Sequence, residues 1–180
     1  MEETDEDLAI AARVGDESAF SILLGRHYDR IFRVAAGVSG SQSEAEDITQ
    51  DVCLALPTKL TSFRGDAKFT TWLHRVVVNA ARDRIRRNQT RSKSINGWGD
   101  WEINRRAANQ EAAEAVDWLA QAMSCLSVDL RETVTLVLGE DMTHKDAGEV
   151  LNISEGTVSW RMSEVKKALS KVARDEELLP

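Results

Sequence analysis

F-R-G-D-A-K-F-T-T-W-L-H-R-V-V-V-N-A-A-R-D-R-I-R-R-N-Q-T-R-S-K, residues 63–93, is the stretch from which the rest of the chain is best read. It holds nine Lys and Arg against two acids, a local charge of +7 in a 180-residue chain whose net charge is −7. Residues three and four apart share a helix face. Lys68, Thr71, Arg75, Asn79, Arg82 and Arg86 therefore fall on one polar stripe, and Phe69, Leu73, Val76, Val77 and Ala80 on another that can be buried. Trp72 stands on the border, one side turned to the core and a π-surface left for the basic face. A row of cations beside an aromatic suits a polyanion whose bases can be unstacked. The clustering is local and of one sign, which an ordinary solvated helix face is not. The stretch points to nucleic acid.

Upstream, Leu8, Ala11 and Ala12, then Phe20, Leu23, Leu24, His27, Ile31 and Val34, recur at helical spacing. Asp16 and Glu17 supply an N-cap and an acidic first turn for the second helix, and Gly37 and Gly40 mark its end. Ser41-x-x-Glu44 reads as a capping box for a third helix. On that helix Ala45, Ile48, Val52 and Leu56 face inward, while Glu44, Asp47 and Asp51 share an outer face. Pro57 should stop or kink it, because proline removes a helix hydrogen bond. Four helices in the first 90 residues make one compact bundle.

Downstream, residues 88–113 are polar, with Asn-Gly and Gly-Asp turn signals, and read as a linker. Its Trp98 and Trp101 either dock onto a domain or partner or form a local staple. Periodicity resumes with Val116, Leu119, Ala120 and Met123, then Leu126, Leu130, Val134, Val137 and Leu138. Thr143 can cap a short helix containing Ala147, Val150 and Leu151, and Asn152 stands where a tight turn needs a left-handed residue. Ser154 caps a last helix with the buried stripe Val158, Met162, Val165, Leu169 and Val172. Short helix, three-residue turn and capped second helix make a helix-turn-helix. Opposite the buried stripe lie Gly156, Ser159, Trp160, Ser163 and Lys167, placed to enter a major groove. The expected fold is all-α: two small helical domains, 1–90 and 113–175, joined by a polar linker at 91–112.

Charge by segment is −7 over residues 1–62, −6 over 94–142 and −1 over 143–180. One basic band in an acidic chain excludes indiscriminate coating of DNA, and the acidic front can meet basic proteins or screen the band. Two cysteines, Cys53 and Cys125, are too few for a disulfide framework and fit a reducing cytoplasm. The first residues, M-E-E-T-D-E-D, are the reverse of a signal peptide, and no apolar run approaches the roughly 18 residues of a membrane span. A soluble cytoplasmic protein is expected.

Three motifs in this order, A-E-D-I-T-Q-D-V (45–52), F-R-G-D-A-K-F-T-T-W-L (63–73) with N-x-x-R-D after it, and I-S-E-G-T-V-S-W-R-M (153–162), resemble the extracytoplasmic-function (ECF) sigma factors of bacterial RNA polymerase. The resemblance runs from about Leu8 to Val172, the linker excepted. It implies a first domain that grips core polymerase and melts the promoter −10 element, and a second that reads the −35 element. Ala45, Glu46, Asp47, Gln50 and Asp51 match the family's core-binding helix. The loop from Ser62 to Ala67, with Phe63 and Arg64, matches the segment that pockets a flipped −10 base, a step costing a few kcal/mol that a pocket and neighbouring cations must offset. Lys68, Trp72, Arg75, Asn79, Arg82, Arg86 and Arg87 fall on the family's basic −10 helix. Thr157, Ser159, Trp160 and Arg161, with Ser154, Gly156, Ser163 and Lys167, fall on the −35 recognition helix. An anti-sigma factor is an implied partner beside core polymerase and promoter DNA.

Two departures stand out. Ser163-Glu164 precede Lys166 and Lys167 where the family repeats basic residues, and Glu164 would repel phosphate, so −35 contacts are expected to be fewer or shifted. Ala147 replaces a bulkier aliphatic, which suggests a looser hairpin core. A different reading, a stand-alone helix-turn-helix regulator, explains residues 143–172 but neither the basic band nor the acidic helix before it. An enzyme is disfavoured, since His27, His74 and His144 are scattered and no metal-ligand spacing or phosphate-cradling glycine loop is present. No cofactor is expected. The carboxylates of the third helix could hold Mg²⁺ no better than most acidic helices.

Overall fold

The computed structural model describes residues 3–94 and 122–177. Trp98 and Trp101, the segment Val116–Ala120, and the expected 91–112 linker beyond residue 94 lie outside the described residues. Among those described, every regular element is a helix. They are α1 (Asp5–Arg13), α2 (Glu17–Ser39), α3 (Gln42–Leu60), α4 (Phe69–Ser94), α5 (Val128–Val134), a wide π turn (Thr135–Gly139), α6 (His144–Leu151) and α7 (Glu155–Glu177).

Local chemistry sets most of these boundaries. Thr4 and Asp7 exchange the two bonds of a capping box at α1. Asp16 accepts from the Ala19 N–H at 2.9 Å to open α2, and Gly40, at φ 72°, closes it in the left-handed conformation that glycine adopts without strain. Ser41 accepts from the Glu44 N–H to open α3, but the Glu44 carboxylate does not complete a box because Arg84 holds it instead. Gly37 does not end α2, which runs on to Ser39. Pro57 does not end α3 either: it lies exposed in the last turn, and one further turn brings Leu60 into the core. α4 continues past residue 91 to Ser94, through polar residues expected in the linker.

The first half buries Leu8 of α1, Leu23 and Ile31 of α2, Ile48 and Leu56 of α3 and Leu73 and Val77 of α4. Each such side chain contributes about 1.5–3 kcal/mol of transfer free energy. In the second half Val150, Leu151, Val158 and Val165 form the seam between α6 and α7. Asn152 takes φ 57°, the left-handed turn expected of it. Ala147 does not loosen this hairpin. It is fully buried, and a Cβ on neighbouring Gly148 would lie 2.8 Å from the Ile153 carbonyl, so small residues let the two helices close tightly.

The stripe expected on the helix after Leu126 breaks at the π turn. Five residues wound with i→i+5 spacing shift the phase, so Leu136 is buried while Leu138 is 64% exposed. The apolar core is continuous across the halves, with α2 and α4 packed on α5, the π turn and α6. α4 is consequently buried on a second face, carrying His74, Val78 and Ala81, beside the stripe its sequence displays.

Candidate nucleic-acid interface

Of the hairpin residues singled out in the sequence, most are exposed and two are not. Ser154 accepts from the Thr157 N–H at 3.1 Å and Thr143 from the Asp146 N–H at 3.1 Å, so both helices start on capped turns. Gly156, Ser159, Trp160, Ser163 and Lys167 are exposed, Trp160 to 61%. Lys167 is paired with Glu164 at 2.7 Å, so the acid that breaks the basic run is neutralised within its own helix. Thr157 is half-buried, and Ser159 lies 2.9 Å from Nδ1 of His144. Arg161 is turned back: Nη2 donates to the Asp129 carboxylate at 2.9 Å, which holds the guanidinium against α5.

In the loop between α3 and α4, Ser62, Arg64 and Lys68 are exposed. Phe63 is not offered to a ligand. At 2% exposed it lies in an aromatic cluster, 5.7 Å from Phe69 and 5.5 Å from Trp72 by ring centroid, and braces the half-buried Trp72 from beneath. The loop is clamped to α1 at two points. Arg13 donates to the Phe63 carbonyl at 3.0 Å, and Glu6 accepts from the Phe69 N–H at 2.8 Å at the start of α4.

Along α4, Arg75, Asn79, Arg86 and Arg87 are exposed. Arg75 donates to the Glu149 carbonyl at 2.6 Å, Arg86 pairs with Asp83 one turn back, and Arg87 donates to the Asp83 carbonyl. Arg82 is the most committed. Its Nε and Nη2 grip the two oxygens of Glu132 at 2.6 Å each, and Glu132 is fully buried. That fork, rather than its environment, holds the guanidinium pKa above its ordinary value. Nearer the start of α4, Glu140 of the second half accepts from Arg30 at 2.9 Å and Arg33 at 3.2 Å, and lies 3.4 Å from His74 Nε2.

On α3, Glu46, Asp47, Gln50 and Asp51 are exposed on one face, as their spacing requires. Arg84 reaches across from α4 to this edge, donating to Glu44 at 2.8 Å, pairing with Asp47 and approaching Asp51 to 3.7 Å. Among the described residues no cluster of three or more His, Cys, Asp or Glu forms a metal site. Cys53 is half-buried, with its thiol pKa raised by burial, and Cys125 is exposed; both are free.

Residues 23–91 match the Sigma-70 region 2 family and residues 117–169 the Sigma-70 region 4 family. The ECF RNA polymerase sigma factor SigM of Mycobacterium tuberculosis is 33% identical over 171 residues, spanning 95% of this chain and 85% of its own. The chain belongs to the ECF sigma factors. SigW of Bacillus subtilis, another ECF factor, is 26% identical over 89% of this chain and 92% of its own. The fold is similar to that of CnrH in complex with the cytosolic domain of CnrY (TM-score 0.72, 24% identity, 96% of this chain and 99% of that one). It is also similar to the sigma factor RpoE in complex with the anti-sigma factor NepR from Bartonella quintana (TM-score 0.75, 21% identity, 86% and 96%).

As a sigma factor of the alternative class, the chain serves core RNA polymerase and promoter DNA. Its structure brings together residues that sequence periodicity passes over. Arg30 and Arg33 sit on a helix whose sequence displays mainly its apolar stripe. Glu132 and Glu140 flank an apolar run, at positions that read as solvent-facing. Arg84 lies off the Arg75–Arg86 stripe. The signal for Arg84 is the Glu44, Asp47 and Asp51 row on the preceding helix, which needs a cation opposite; nothing local marks the other four.

Proposed function

We propose that this sigma factor docks core polymerase through the Glu46, Asp47, Gln50 and Asp51 face of α3. The loop 62–67 and Trp72, with Lys68, Arg75, Asn79, Arg82, Arg86 and Arg87, hold the unstacked −10 strand, and the outer face of α7 reads the −35 duplex. It works without catalysis of its own, as a binding subunit in the cytoplasm where polymerase acts. The observation that supports this most directly is Trp72: a half-buried indole propped by Phe63 and Phe69 at the foot of a cationic helix. Such a platform takes a base at about 1–3 kcal/mol. Two weak DNA modules on one chain gain by effective concentration and reject promoters of the wrong spacing. No helix among the described residues is long and apolar enough to cross a membrane.

An anti-sigma partner fits this chain, because the solved structures it is similar to are complexes with the cytosolic domain of CnrY and with the anti-sigma factor NepR. Run-off transcription with purified core across a promoter library tests the assignment. Initiation at a subset of promoters is expected. Tight sequence-specific duplex binding without polymerase, and no initiation, would instead favour a stand-alone regulator. Within the holoenzyme, Arg82→Ala with Arg86→Ala lowers promoter opening and flattens its dependence on salt, since each lost phosphate contact removes about one unit of slope.

A further inference from the structure

We propose that α1, through Glu6, Ile10 and Arg13, sets the shape of the loop that takes the unstacked −10 base, and that these three are positioning residues for promoter opening. The inference rests on the −10 role proposed for residues 62–67 and adds the element that holds them. α1 lies ahead of every motif that carries the family resemblance. Glu6, Ile10 and Arg13 follow at helical spacing, so they share one face of α1, spread over about 10 Å at 1.5 Å per residue. Each meets a different part of the loop. Arg13 Nη1 donates to the Phe63 carbonyl at 3.0 Å, where the chain has just left α3. Ile10 stands beside the apex: Gly65 turns there at φ 79°, and a Cβ on it would come 4.0 Å from Ile10 Cδ1. Glu6 Oε1 accepts from the Phe69 N–H at 2.8 Å, where α4 begins.

The last contact supplies what α4 lacks in its own sequence. The Lys68 carbonyl accepts the first helix bond, from the Trp72 N–H at 3.2 Å, so Lys68 holds the cap position, and its side chain has no acceptor to offer. No acid stands in the first turn of α4. Glu6 brings both an acceptor for the Phe69 N–H and a negative charge for the positive end of the helix. α1 is itself fixed in place. Leu8 and Ala9 are buried, and Asp5 pairs with Arg26 at 3.0 Å and lies 2.7 Å from His27 Nε2 on α2. Between the two polar grips Arg64, Gly65, Asp66, Ala67 and Lys68 are all exposed. Exposed backbone loses freedom when it closes on a base. A loop already held in shape loses less, and binds more tightly for it.

Positioning and plain electrostatics predict opposite signs at Glu6. Removing an acid beside DNA strengthens binding through charge alone, whereas releasing the start of α4 weakens it. The test uses holoenzyme assembled from the full chain and purified core. Its probe is a fluorescein-labelled single strand carrying the −10 element of a promoter that run-off transcription has identified. Anisotropy is read for that strand, and for versions with its bases replaced one at a time, across a salt titration. Glu6→Ala and Arg13→Ala are each expected to bind the cognate strand about tenfold more weakly, the order of one hydrogen bond to a charged group. Affinity for the strand altered at the pocketed base should hardly change, so discrimination at that base falls. Glu6→Gln, whose amide oxygen still accepts from the Phe69 N–H, should keep most of it, and Ile10→Ala, which frees only the apex, should lose less than either. The salt slope should stay as in the unaltered holoenzyme, since no phosphate contact is lost. A Glu6→Ala holoenzyme that binds more tightly, or discrimination that survives both alanines, would overturn the proposal. So would an Arg13→Ala loss that comes with a shallower salt slope, which would make Arg13 a phosphate contact. Should Glu6→Ala fail to fold, Arg13→Ala, at an exposed residue, carries the test by itself. An unaltered holoenzyme that discriminates at no position of the strand defeats the −10 role of the loop; discrimination there that the variants leave intact defeats only the grip of α1.

Discussion

Arg84 shows how a single side chain can work against the surface on which it sits. Its guanidinium neutralises part of the row Glu44, Asp47 and Asp51 that is proposed to meet polymerase. These are partly exposed pairs, so Arg84→Ala should cost no more than about 1 kcal/mol in urea unfolding. It should strengthen holoenzyme assembly, because Asp47 and Asp51 are then fully available; Asp47→Ala with Asp51→Ala should weaken assembly while leaving the unfolding curve in place. Phe63 makes the contrasting case. Read along the sequence it belongs to a DNA-contacting loop, yet it is buried under Trp72, and Phe63→Ala should cost about 3–5 kcal/mol by leaving a cavity. Residue chemistry that acts within one or two turns, such as the Asp16, Thr143 and Ser154 caps or the left-handed Asn152, is legible in the sequence itself. Partners contributed by a distant element, as Asp129 is for Arg161, are not, because no local period encodes them.

Helix identities and most inward stripes follow from a 3.6-residue period; in the hairpin Ala147, Val150, Leu151, Val158, Met162 and Val165 are buried as that period requires, while Leu169 and Val172 are half-buried. The period misleads where an element has two neighbours or changes its winding. α4 displays one apolar stripe but is buried on two faces, and the second, His74, Val78 and Ala81, looks in sequence like an interruption of the basic face. The π turn moves burial from Leu138 to Leu136, a phase shift that α-helical spacing cannot foresee. Within the hairpin the tight point is Gly148 against the Ile153 carbonyl. Gly148→Ala should therefore open the turn at a cost of roughly 1–3 kcal/mol, since a backbone atom cannot move aside as a side-chain tip can. Thermal unfolding and −35 duplex binding, measured together, should both weaken.

Across the whole molecule a polar chain runs from α1 to the second half: Asp5, His27, Arg30, Glu140 and His74. Arg30 donates to Nδ1 of His27, so the His27 Nε2–H faces Asp5, and a second proton would have to enter against Arg30. Burial lowers the His74 pKa, with Arg30 and His27 adding to that and Glu140 opposing it; burial likewise lowers that of His27, against the pull of Asp5. Groups held below their ordinary value favour the folded protein when neutral. Their contribution is present above about pH 6.5 and is lost as pH falls below it. Melting temperature and compactness should thus decline together between neutral and mildly acidic pH at fixed ionic strength. His74→Gln should flatten part of that slope, and the rest should remain with His27. The wide turn at Thr135–Gly139 has a consequence of its own. Excising one codon there would restore ordinary winding and swing everything beyond it by about 100°. Glu140 would lose its place against Arg30 and Arg33 of α2 while the α6–α7 hairpin kept its own turn and seam, leaving two halves that each still fold but no longer meet.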